Sequence, residues 1–139
     1  MLQIPVPRWT LGLPALFFVL TACLSPSEPP DLGEFPTGNY TVTFTEADDV
    51  TPEIVGTWSV VWRIDGDFII GFEGDALVQG EFSVDGNQVT LTDRDGPGRC
   101  PDSGTYEWAF QDPELTLSLV SDSCESRSEV LTTKPWTLQ

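Results

Sequence analysis

Histidine does not occur in this chain. Its absence excludes Ser-His-Asp and Cys-His nucleophilic machinery, histidine general bases and every histidine-containing zinc site. Basic residues are nearly as scarce: six Lys and Arg stand against 22 Asp and Glu, for a net charge of −16 and an isoelectric point near 4.1. Such a surface repels nucleic-acid phosphates and anionic lipid headgroups, so no nucleic acid partner is expected. Long apolar runs are missing too, and no segment holds a helical period over about eleven residues. What is present fits one turn-rich all-β domain with its own core: 139 residues, 12 Gly, 12 Pro and 11% aromatic side chains.

Residues 1–22 read as an export leader. Arg8 lies ahead of the apolar run Leu11–Leu20, which is too short to cross a bilayer as a helix but matches the apolar stretch of a signal peptide. Leu20-Thr21-Ala22-Cys23 follows and resembles the bacterial lipobox, in which the Cys becomes the lipidated N-terminus. The resemblance implies diacylglyceryl and palmitate-type acyl chains on Cys23, and several chains together anchor a protein stably. The other reading is an ordinary cleaved signal with an incidental Cys. Residues 23–37, rich in Pro, Ser and acid, then form an extended tether, and residues 38–139 the domain. The expected location is the bacterial cell envelope, outside the cytoplasm, with the membrane as partner through the lipid. Cleavage before Cys23 removes 22 residues and Arg8 but no acid. The remaining 117 residues keep five basic and 22 acidic side chains, or −17.

Cys100 and Cys124 remain, and two thiols in an exported domain predict one disulfide. A metal-binding or reactive pair would need partners that the chain does not supply nearby, since there is no third free Cys and no C-x-x-C spacing.

From Tyr40 onward apolar and polar residues alternate with period two, broken by turn residues. The inward set runs Tyr40, Val42, Phe44; Trp58, Val60, Trp62, Ile64; Phe68, Ile70, Phe72; Val78, Gly80, Phe82, Val84; Val89, Leu91; Tyr106, Trp108, Phe110; and Leu115, Leu117, Leu119. A less regular eighth strand is expected within Ser128–Leu138. Asp65-Gly66-Asp67, Glu73-Gly74-Asp75 and Asp85-Gly86-Asn87 mark tight turns. Eight sequential antiparallel strands close into an up-and-down barrel or split into a β-sandwich; closure removes the exposed edges and is the expected architecture.

Gly56-Thr57-Trp58 resembles the G-x-W of the calycin group, the lipocalin and avidin relatives. The ordered set Gly104-Thr105-Tyr106-Glu107-Trp108, Leu115-Thr116-Leu117, Asp122-Ser123-Cys124-Glu125-Ser126-Arg127 and Trp136-Thr137 is similar to bacterial lipocalin-like exported proteins of unassigned function. The likeness implies that Arg127 closes one barrel end by packing over Trp58 and bonding strand-end carbonyls. In one respect the chain departs from the pattern: strand Tyr40–Thr45 precedes G-x-W.

The inward face carries ten aromatics and no charge. It offers a pocket for a small apolar ligand, with Tyr40, Phe44, Trp58, Trp62, Phe72, Phe82, Tyr106 and Trp108 as lining candidates. The same residues can instead fill the barrel, leaving a structural or protein-interaction module whose partner the sequence does not name. Asp93 and Asp95 resemble a fragment of a calcium loop, but Gly104 stands where the bidentate Glu belongs. Glu73, Glu81 and Glu107 fall on the polar face. The chain is therefore expected to be no enzyme and to need no cofactor.

Overall fold

The computed structural model describes residues 33–139; the leader, Cys23 and most of the tether lie outside the described residues. Eight strands follow in chain order: β1 (Gly38–Phe44), β2 (Gly56–Trp62), β3 (Asp67–Phe72), β4 (Asp75–Asp85), β5 (Gln88–Asp95), β6 (Gly104–Gln111), β7 (Glu114–Ser121) and β8 (Trp136–Leu138), with helix α1 (Glu125–Thr132) between the last two. Each strand pairs antiparallel with the next, and β8 returns to β1 through Tyr40↔Leu138, closing the barrel. The sandwich alternative is thereby excluded.

The period-two pattern places the core. Tyr40, Val42 and Phe44 are buried on β1, and Trp58, Val60 and Trp62 on β2, where Trp58 faces Val42 and Trp62 faces Gly38. On the outer face, register partners Thr43–Thr57 and Thr90–Thr105 hydrogen-bond at 3.0 Å, the kind of cross-strand pair that steadies a solvated sheet surface. Gly80 bends β4. A Cβ there would lie 2.2 Å from the Thr92 carbonyl oxygen and 2.8 Å from the Phe68 ring, and the β4–β5 register shifts at Gln79/Gly80. Only a residue without a side chain lets the two backbones approach this closely.

Three expectations are corrected. The inward set overran the core at strand ends: Ile64 is 92% exposed in the β2–β3 turn, Leu119 is 52% exposed, and Val84 and Phe110 also reach solvent. Alternation fixes the face of a side chain but not its height, and staggered hairpins extend past their neighbours in a tilted barrel. On β7 the register shift at Thr105/Tyr106 adds to this. Second, the C-terminal segment is not one strand. Arg127, Val130 and Leu131 form the buried i, i+3, i+4 stripe of α1, which at eight residues is shorter than the window that reveals a helical period. Third, the tether does not run to residue 37. Phe35 is buried in the core, so the domain begins before Gly38.

The two barrel ends differ. The β2–β3, β4–β5 and β6–β7 hairpins share one end with Phe35. The β1–β2 loop, the β3–β4 turn, the β5–β6 loop and α1 share the other.

Candidate functional site

At the Phe35 end the barrel is filled by its own aromatics. The Phe35 ring lies 5.1 Å from Trp62 and 5.3 Å from Trp108, both edge-on, and 5.4 Å from Phe82. Trp62 in turn meets Phe82 at 5.1 Å and Phe68 at 5.9 Å. Three of these five contacts are edge-to-face, the arrangement that suits the ring quadrupoles, and the other two are tilted. Two hydrogen bonds fix the surround: Tyr40 Oη donates to the Pro36 carbonyl at 2.6 Å, and Trp108 Nε1 donates to the Gly86 carbonyl at 3.0 Å. Burial, with Asp112 adding to it, pushes the Tyr40 hydroxyl up to about 12, so it remains a donor. Trp62 Nε1 is buried without an acceptor among the described residues.

Of the eight expected lining residues, six are therefore packing residues: Tyr40, Phe44, Trp62, Phe82, Tyr106 and Trp108. Phe72 is half-buried against Trp58, 4.8 Å away. Trp58 borders a cleft at the opposite end.

There a cleft of about 70 Å³ sits between α1 and the strands. Its walls are Ile54, Trp58, Ile70, Val78, Val130 and Leu131, with Leu77, Gly98 and Cys100 beside them, and its polar lining is Asp93, Ser126 and Arg127. The flanking chain is tied in place from several sides. Ile54 ends a 3-10 turn, Pro52–Ile54, and its carbonyl accepts from Trp58 Nε1 at 2.8 Å. Glu129 of α1 accepts from the Thr51 backbone N–H at 2.7 Å and from its hydroxyl at 2.8 Å, binding the loop to the helix. The Cys100–Cys124 disulfide joins the β5–β6 loop to the start of α1.

The polar end is a buried charge network. Arg127 Nε donates to Asp122 Oδ2 at 2.7 Å, and Nη2 donates to Asp122 Oδ1 at 2.8 Å and to the Asp102 carbonyl at 2.7 Å. Arg127 Nη1 stands 3.1 Å from Asp93 Oδ1. The Arg127 side chain is 3% exposed and that of Asp93 0%. Tyr106 Oη and the Cys124 N–H also donate to Asp122, and the Cys100 N–H donates to Asp93 Oδ2 at 2.8 Å. Burial opposes the guanidinium charge, but the Asp122 hydrogen bonds and the Asp93 and Asp122 charges outweigh it and raise the Arg127 pKa. Burial likewise opposes the Asp122 charge, yet hydrogen bonds from Arg127, Tyr106 and Cys124 hold it below the usual carboxylate range. Burial and then Asp122 push the Tyr106 hydroxyl well above its ordinary value. Gly104 makes room for the network, since a Cβ there would fall 2.3 Å from Asp122 Oδ2 and 2.9 Å from Arg127 Nη2.

Arg127 lines the same cleft as Trp58, but the carbonyl it bonds, that of Asp102, lies in the β5–β6 loop and not at a strand end. Its charge is directed to Asp122 and Asp93 instead of the indole; the cation over a ring is Lys134, 5.9 Å from the centre of Phe44. The calcium reading fails on geometry. Asp93 faces a guanidinium while Asp95 is solvent-exposed, and among the described residues no cluster of Asp, Glu or Cys forms a cation cage. Glu73 and Glu81 lie at the surface, the former accepting from the Thr57 N–H at 2.8 Å and the latter paired to Arg94 at 2.9 Å. Glu107 is also exposed, so none of the three meets another carboxylate in the interior.

Sequence reasoning missed Asp122 and Ile54. The signal for Asp122 was the run Asp122–Arg127 itself, in which an acid just ahead of a helix meets an Arg in its first turn. No protein-family model, curated protein or solved structure matches the chain.

Proposed function

We propose that this chain is a non-catalytic lipoprotein of the bacterial cell envelope, anchored through Cys23, that binds a small apolar molecule at the helix end of its barrel. One observation carries the reading: the cleft that Trp58 borders has mostly apolar walls, with the buried Asp93–Arg127 pair in its polar lining. Its size sets the scale. Ligand pockets for drug-sized molecules run to roughly 300–1,000 Å³, so about 70 Å³ admits a few heavy atoms or the end of a longer chain.

A second reading follows from the filled interior at the Phe35 end. There the barrel is a rigid scaffold, and the acidic exterior engages a protein partner. Native mass spectrometry of the exported chain, with and without an envelope extract, separates the two. An adduct that is released on unfolding and absent from a Gly98→Leu variant supports the binding reading, because a side chain at Gly98 projects toward Val78 in the cleft wall, with its Cβ 3.3 Å from Cγ2. A bare mass at every dose favours the scaffold.

A further inference from the structure

At the Phe35 end the packing stops one layer short of the hairpin tips. Phe35 joins Trp62 of β2, Phe82 of β4 and Trp108 of β6, one ring from each of the three hairpins. Two positions beyond each ring stands another apolar side chain, Ile64, Val84 or Phe110, and all three reach solvent. Among the described residues the other large apolar side chains exposed to this degree are Leu119 and Val120, both on β7 and away from the tips. The tips are braced against one another. The Phe82 N–H donates to the Gly66 carbonyl at 2.8 Å, and Trp108 donates from its backbone N–H to the Asn87 carbonyl at 2.8 Å and from Nε1 to the Gly86 carbonyl at 3.0 Å. A surface held in this way has little freedom to lose on association. Residues 63–66, 84–87 and 110–114, which form the tips, carry four exposed acids, Asp65, Asp85, Asp112 and Glu114, against one base, Arg63.

Resting on the scaffold reading above and making it specific, we propose that these three tips are the docking surface for a basic amphipathic helix of a partner protein. Apolar side chains at i, i+3 and i+4 of that helix rest on Ile64, Val84 and Phe110, and the Lys and Arg flanking the stripe meet Asp65, Asp85, Asp112 and Glu114. Apolar side chains grouped within a charged rim have the composition of an interaction surface. Charge complementarity chooses the occupant. A second copy of this chain brings the same surplus of acid and is repelled. An anchor at Cys23, 12 residues before Phe35, brings a bilayer within reach, but anionic headgroups meet the same carboxylates. The cleft beside α1, at the other end of the barrel, takes no part.

The exported full chain is titrated against a fluorescein-labelled peptide of Leu and Lys in amphipathic helical order, with fluorescence anisotropy as the readout. The double variant Ile64→Ser, Phe110→Ser is expected to weaken binding at least tenfold. The double variant Leu119→Ser, Val120→Ser, which removes exposed apolar side chains away from the tips, is expected to weaken it less than twofold. Neutralising the tips by Asp65→Asn, Asp85→Asn and Asp112→Asn is expected to cost more affinity than three neutralisations at the other end, Glu53→Gln, Asp75→Asn and Glu125→Gln. Equal losses in either comparison would overturn the docking surface and leave the scaffold reading with a diffuse acidic exterior. Absence of binding to the parent chain refutes both. Vesicles of brominated phosphatidylcholine supply the last arm. If they quench an Ile64→Trp variant more than the parent chain, the tips sit in the bilayer and the proposal falls.

Discussion

Arg127 grips Asp122 with two parallel N–H donors, Nε at 2.7 Å and Nη2 at 2.8 Å, across the first turn of α1. The planar fork matches the carboxylate, and a lysine could not reproduce it. Because Asp93 and Asp122 depend on the same guanidinium, Arg127→Met strands two buried carboxylates. The expected loss is about 3–5 kcal/mol, the cost of leaving a buried charge uncompensated. Urea denaturation followed by tryptophan fluorescence measures it. A loss below about 1 kcal/mol would show the network to be peripheral.

The same network sets an acid limit. Asp122 titrates lower in the folded chain than in the unfolded one. Its contribution is therefore complete above the unfolded value, about 3.9 for an Asp, and is lost as pH falls through the folded value. Melting temperature should drop below about pH 4, and Asp122→Asn, less stable at neutral pH, should show a shallower slope there. Thermal scans of the two proteins across the acid range decide; parallel slopes would assign the acid lability to other carboxylates.

Phe35 separates a tether from a core element. Truncating a solvated linker residue is close to neutral, whereas removing a buried Phe side chain costs about 3–5 kcal/mol. Phe35→Ala is expected to fall in the second class, since its ring packs on Trp62, Phe82 and Trp108. Equilibrium unfolding in urea gives the number.

Cys100 and Cys124, 24 residues apart, hold the β5–β6 loop to α1. Closing a loop of this length restricts the unfolded chain by roughly 3.5 kcal/mol. The double Cys→Ala variant is expected to lose about that much stability and, through Cys100, to loosen the wall of the cleft. Denaturation with and without reductant, compared with the variant, checks the magnitude.

Anchoring is tested at Cys23. Cys23→Ser is expected to abolish incorporation of labelled palmitate in a bacterial host and to leave the leader uncleaved, visible as a larger mass. Unchanged labelling would place the acyl chain elsewhere.

The barrel was legible because alternation is strong where strands are buried on one face only: β1 and β2 show it to their last residues, and β6 as far as Trp108. The disulfide was legible from counting. The site was not. Phe35 is one aromatic in a Pro-, Ser- and acid-rich stretch, and no periodicity distinguishes it from a linker residue. Asp93 stands two residues before Asp95, which precedes Gly96, so it resembles a cation ligand until its partner Arg127, 34 positions away, is placed against it. The inward aromatics marked a pocket by composition alone. Whether such a list encloses space depends on how the rings interlock, which is a three-dimensional property.

The barrel seam lies where the first and last strands meet. β8 contributes three residues, and its pairs Tyr40↔Leu138 and Leu115↔Trp136 close the circle between its neighbours. Contacts so distant in sequence form only after the intervening chain is ordered, which makes folding slow. A polypeptide made from its N-terminus cannot complete this barrel until Leu138 has emerged. Up to that moment β1 and β7 present bare edges, so the three residues of β8 control how long the barrel stays open to mispairing.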